Sequence, residues 1–95
     1  MSDTRLKSRA LLILSGQVQG VGFRAYAHRH AIDQGVTGYV RNLPDGTVEM
    51  VIEGEGFRVQ FLIDRCVMGP PAATVHRAHV DWQEPTGEFQ SFQIR

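Results

Sequence analysis

The chain has one cysteine, no excess of either charge sign and no apolar run long enough to span a bilayer. Each scarcity removes a class of protein. Cys66 has no second thiol to pair with, so stability must come from a core, and the pattern fits a reducing, cytoplasmic setting. The 10 Lys and Arg balance 10 Asp and Glu, whereas a general nucleic-acid binder carries a basic excess. The apolar run at residues 10–14 falls far short of the roughly 20 residues of a spanning helix. It is also short for a secretory leader, so no membrane association is expected. With no repeat, low-complexity tract or linker, the 95 residues read as one domain. Residues 1–8 read as a mobile polar tail and residues 9–95 as the folded unit.

What is present is a regular alternation of strand and helix patterns. Residues 9–18 are nearly continuously apolar, which suits an interior strand. A loop with glycines at 16, 20 and 22 follows. Residues 23–34 read as a helix, with Phe23, Ala27 and Ala31 on one stripe and Gly35 as its stop. Residues 36–43 and 47–53 read as a hairpin around Pro44-Asp45-Gly46, with Val48, Met50 and Ile52 on the buried face. Residues 57–68 form a second helix whose stripe is Val59, Leu62, Ile63, Cys66 and Val67, ended by Gly69-Pro70-Pro71. Phe57, Phe61 and Met68 lie off that stripe and mark a candidate self-contact. Residues 75–82 and 89–95 read as strands. The order β-α-β-β-α-β plus a short final strand predicts an α+β, ferredoxin-like sandwich, with an antiparallel sheet carrying both helices on one face. That fold hosts many functions, so the site must decide.

Two segments carry chemistry. Where the first strand meets the first helix, exposed N–H groups make an anion site, and Gly20 and Gly22 let consecutive amides turn onto one small anion. Arg24 sits in the helix's first turn, against the dipole, where a bound phosphate would justify a cation. The alternative is a tight turn with a solvated Arg. The loop is neither a Walker A nor a complete G-x-G-x-x-G. Asn42, at the end of the second strand, has donor and acceptor groups that could hold a water in line with phosphorus. It could equally cap the turn that follows.

Taken together, the two segments resemble the acylphosphatase family. The signature G-x-V-Q-G-V-G-F-R stands intact at residues 16–24, and G-[YW]-V-[RK]-N-x-x-x-G-x-V-E stands at residues 38–49. Gly69-Pro70 and Val80-x-Trp82 also match the family's layout, so the resemblance runs from about residue 9 to 95. It implies a free-standing, monomeric hydrolase of the anhydride between a carboxylic acid and phosphate, with inorganic phosphate as product or inhibitor. It implies that Arg24 and the loop formed by Gln19, Gly20, Val21, Gly22, Phe23 and Arg24 bind the phosphate. It implies that Asn42 orients the attacking water, that the substrate's own phosphate takes the proton, and that no metal or cofactor is used.

Rival readings are weaker. An RNA-recognition domain shares the element order but stacks bases on strand aromatics, and the first strand offers Leu11 and Ile13 instead. An anion- or carbamoyl-phosphate-binding module without efficient turnover would keep the fold, as in a hydrogenase-maturation carbamoyltransferase. The short chain and the presence of both Arg24 and Asn42 argue against it. His28 and His30 point about 200° apart on a helix, and His76 and His79 point to opposite faces of a strand, so neither pair suggests a metal. Cys66 reads as inert packing. Tyr39 and Trp82 read as core or sheet-face residues.

Overall fold

The computed structural model describes residues 6–95. In chain order the elements are β1 (Lys7–Gln17), α1 (Phe23–Gln34), β2 (Thr37–Asn42), β3 (Val48–Glu55), α2 (Gly56–Met68), β4 (Thr74–Gln83) and β5 (Phe92–Ile94). The sheet order is β4-β1-β3-β2-β5. One helix layer covers one sheet face: α1 lies over β2 and β5, and α2 over β1, β3 and β4. No helix among the described residues is long and apolar enough to cross a membrane.

The ferredoxin-like expectation holds, with one change of strand direction. The pairs β1–β3, β1–β4 and β2–β3 are antiparallel, but β5 runs parallel to β2, so the sheet is mixed. The reason is topological. The chain leaves β4 at one edge, crosses the open face through residues 84–91, and joins the other edge beside β2. Lys7 and Ser8, expected to belong to the tail, pair with Glu55 and Gly54 as part of β1. Leu6 is described too, its carbonyl accepting from the Gly56 amide at 3.0 Å, and residues 1–5 lie outside the described residues.

Side-chain alternation builds the core. Ala10, Leu12 and Leu14 of β1 and Val48, Met50 and Ile52 of β3 are fully buried under the helices. Leu11 and Ile13, on the open face, are only half-buried, as an antiparallel sheet with one solvated side requires. From the helices come Phe23, Ala27 and Ala31, with Val59, Leu62, Ile63 and Cys66. Val67 leaves the expected stripe and is 43% exposed. Eight residues beyond Val59 it has drifted about 80° around the axis. Phe57, Phe61 and Met68 are exposed, with Arg58 and Arg65 over the two phenyl rings. Trp82, on edge strand β4, is half exposed and does not join the core.

Candidate functional site

At one end of the sheet, β1 gives way to the loop that enters α1. Val18 is buried and ties this loop into the core. Gly20 and Gly22 adopt φ of 73° and 78°, a left-handed conformation that L side chains resist. Gly22 is also the N-cap of α1, so no side chain caps the helix, and no acidic residue stands in its first turn. The first helix bond runs from the Tyr26 N–H to the Gly22 carbonyl at 3.0 Å. The amides of Phe23, Arg24 and Ala25 therefore have no intrahelical carbonyl to donate to. A helix start uncapped by its own sequence is electropositive and ready for an anion.

Gln19 holds this loop against the β2–β3 hairpin. Its side-chain amide donates to the carbonyls of Leu43 (2.8 Å) and Thr47 (2.9 Å). Those two residues are themselves joined, Leu43 N–H to Thr47 carbonyl, at 2.9 Å. One side chain thus ties the anion loop to the residue following Asn42. The turn is closed without Asn42. Asp45 Oδ1 accepts from the Thr47 hydroxyl and amide, which hold its carboxyl below the ordinary carboxylate range. The Gly46 N–H donates to the Leu43 carbonyl. Asn42 Oδ1 is buried and has no hydrogen-bond partner among the described residues. A buried oxygen left unpaired costs about 1–3 kcal/mol, so an acceptor kept in that state points to a ligand or water that it serves.

Asn42 shares a cleft of about 240 Å³ with Gly20, Gly22, Phe23, Arg24 and Ala25, with Val18 beneath and Ile94 at its side. The structure brings together five of the expected residues, Gly20, Gly22, Phe23, Arg24 and Asn42. Gln19 and Val21 turn their side chains away from the cleft: Gln19 points to the hairpin and Val21 packs on the core. Arg24 takes part in none of the ion pairs among the described residues. No carboxylate, imidazole or thiol lines the cleft. The histidines of α1 turn to aromatic neighbours, His28 towards Phe92 and His30 edge-on to Tyr26. Burial pushes the Cys66 thiol up to about 12, which leaves it un-ionised inside the core. Ile94 was not foreseen as part of the site. Its alternation with Phe92 set its face, but only the parallel pairing with β2 brings it to this end.

A hollow of about 260 Å³ lies at the opposite end, lined by Lys7, Thr37, Glu53 and Phe89 among others. Its chemistry is closed. Glu53 Oε2 accepts from Arg9 Nη1 (2.7 Å), the Thr86 amide (2.9 Å) and the Thr86 hydroxyl (3.0 Å), and Oε1 accepts from the Gly87 amide (2.9 Å). Burial works to raise the Glu53 pKa, but those donors outweigh it and hold the group at about 2. That carboxylate has little capacity left for a ligand, so the candidate site is the smaller cleft.

The acylphosphatase family model matches residues 10–94. A protein of Pelotomaculum thermopropionicum named acylphosphatase is 49% identical over 88 residues, 93% of this chain and 96% of that protein. An acylphosphatase of Thermococcus kodakarensis is 57% identical over 86 residues, 90% of this chain and 93% of that protein. The crystal structure of the acylphosphatase from Bacillus subtilis superposes with a TM-score of 0.89 at 30% identity, over 93% of this chain and 98% of that one.

Proposed function

The chain belongs to the acylphosphatase family and hydrolyses acyl phosphates, and on that premise we propose how its cleft does so. Arg24 and the amides of residues 19–24 hold the phosphoryl group. The guanidinium offers two parallel N–H···O bonds, and the uncapped helix start supplies further donors. Asn42 Oδ1 accepts a hydrogen bond from water and so aims a lone pair of the water oxygen at phosphorus. The water oxygen bonds to phosphorus as the P–O bond to the acyl group breaks. The electron pair leaves with the carboxylate, and the water proton passes to a phosphate oxygen. The lack of any carboxylate or imidazole in the cleft lining supports the substrate as proton acceptor. Charge gathering on the phosphoryl oxygens meets donors already in place, so positioning and electrostatics do the catalysis.

The observation that carries this reading is the unpaired, buried Asn42 Oδ1 in the same cleft as Arg24 and an uncapped helix start. The proposed mechanism uses no metal or cofactor and takes a monomer as its working unit. A reducing, cytoplasmic compartment suits the lone buried thiol. The test is hydrolysis of benzoyl phosphate by purified protein with a chelator present. Turnover is expected to persist, with inorganic phosphate as a competitive inhibitor. Turnover that vanishes with chelator, or that phosphate leaves untouched, would refute this use of the cleft.

A further inference from the structure

We propose that Ile94 is the seat of the substrate's acyl group and makes the enzyme favour aromatic or branched acyl chains over acetyl. The inference rests on the acylphosphatase reading of the cleft and extends it to the half of the substrate that the phosphate donors do not touch. Three observations carry it.

The first is register. Ile94 of β5 pairs in parallel with Val40 of β2, whose side chain is fully buried under the helices. Asn42 lies two residues beyond Val40, on the same sheet face. Ile94 is therefore a diagonal neighbour of the proposed water-orienting residue. The second is the run of α1 over β5. The His28 and Phe92 rings are 6.3 Å apart. One helical turn back from His28 is Arg24, about 6 Å along the axis. Two residues on from Phe92 is Ile94, about 6.6 Å along the strand. The helix and strand run in opposite senses, so both steps lead towards the cleft, which Arg24 and Ile94 line together. The third is exposure. Phe23 and Val18 reach the cleft but are almost wholly buried, whereas Ile94 is 46% exposed. It is the large apolar side chain of the cleft wall with surface left to cover.

The position is also held firmly. Ser91 accepts from the Gly38 amide, and the Arg95 amide donates to Val40, so backbone bonds bracket the three residues of β5. Phe92 is buried, and the Arg95 guanidinium lies 4.4 Å from the Tyr39 ring centroid. An apolar group fixed beside a phosphate cradle can select among acyl chains by the area each covers.

The experiment measures kcat/KM for benzoyl phosphate and acetyl phosphate, with the inhibition constant of inorganic phosphate, in the wild type, Ile94→Ala and Ile94→Leu. Ile94→Ala is expected to lower kcat/KM for benzoyl phosphate about five- to tenfold, the scale of lost apolar contacts in a pocket, and to change acetyl phosphate less than about twofold. Ile94→Leu keeps the wild-type preference, and phosphate inhibition stays constant across all three. Equal losses on both substrates, or an unchanged ratio with phosphate inhibition intact, would overturn the role of Ile94 alone. A wild type that phosphate does not inhibit would overturn the reading of the cleft, and the acyl seat with it.

Discussion

The two ends of the sheet are built on opposite principles. At one end Glu53, Arg9, Thr86, Gly87 and Glu88 satisfy one another: every charge has a partner, and the open-face crossing is bound down by a carboxylate held at about 2. At the other end Asn42 Oδ1 is buried unpaired, Gly22 caps nothing with a side chain, and Arg24 faces a cleft without an acid. A fold gains stability by completing its polar groups and gains chemistry by leaving a few incomplete. The first end holds the molecule together, and the second, on the proposed reading, leaves room for a phosphate and a water.

The largest expected difference concerns Arg24. Arg24→Ala should lower kcat/KM by about 10³-fold, through both phosphate affinity and rate, with little change in melting temperature. Arg24→Lys should recover little, since a point charge lacks the planar fork. Steady-state kinetics beside a thermal melt would check both. Asn42→Ala should cost about 10²-fold in kcat with KM nearly unchanged. Its melting temperature should stay near the wild-type value, because no described protein group bonds to its Oδ1. Full activity in Asn42→Ala would end its assigned role.

Glu53→Gln should do the reverse. Replacing a carboxylate bound by four donors should lower stability by about 2 kcal/mol, roughly 30-fold in the unfolding equilibrium, while kcat and KM stay at wild-type values. The pH dependence has a definite sign. The folded pKa lies below the ordinary 4.5, so the contribution of Glu53 is present above 4.5 and drains away as pH falls towards about 2. Acid melts should show that loss in the wild type and a flatter profile in Glu53→Gln. A mutant as acid-sensitive as the wild type would break the assignment of that end as the stabilising one. The smallest effect is expected at Gln19. Gln19→Ala frees the loop from the hairpin without removing a group from the cleft, and should lower kcat/KM by about tenfold with stability little affected.

The sequence carried the local features well and the distant ones poorly. The bounds of α1 were legible because Gly22 and Gly35 punctuate it with positive φ. Arg24 and Asn42 stood out because each lies in an intact signature, although residue spacing alone left a turn cap open for Asn42. The structure gives that task to Asp45. Glu53 looked like an ordinary solvent-face residue in an alternating strand, since nothing local says that residues 84–91 cross over it. Ile94 and the direction of β5 were hidden for the same reason: both depend on a pairing between segments about 50 residues apart in the chain. Gln19 was placed correctly in the loop, but no pattern states which way its amide turns.

The most direct test of the central claim is hydrolysis of benzoyl phosphate in ¹⁸O-labelled water, with the label traced into both products. Water held by Asn42 against a phosphoryl group gripped by Arg24 must deliver its oxygen to phosphorus, so the label should appear in inorganic phosphate and be absent from benzoate. Label in benzoate would mean attack at the carbonyl carbon, and the unpaired end of the sheet would not be working as described.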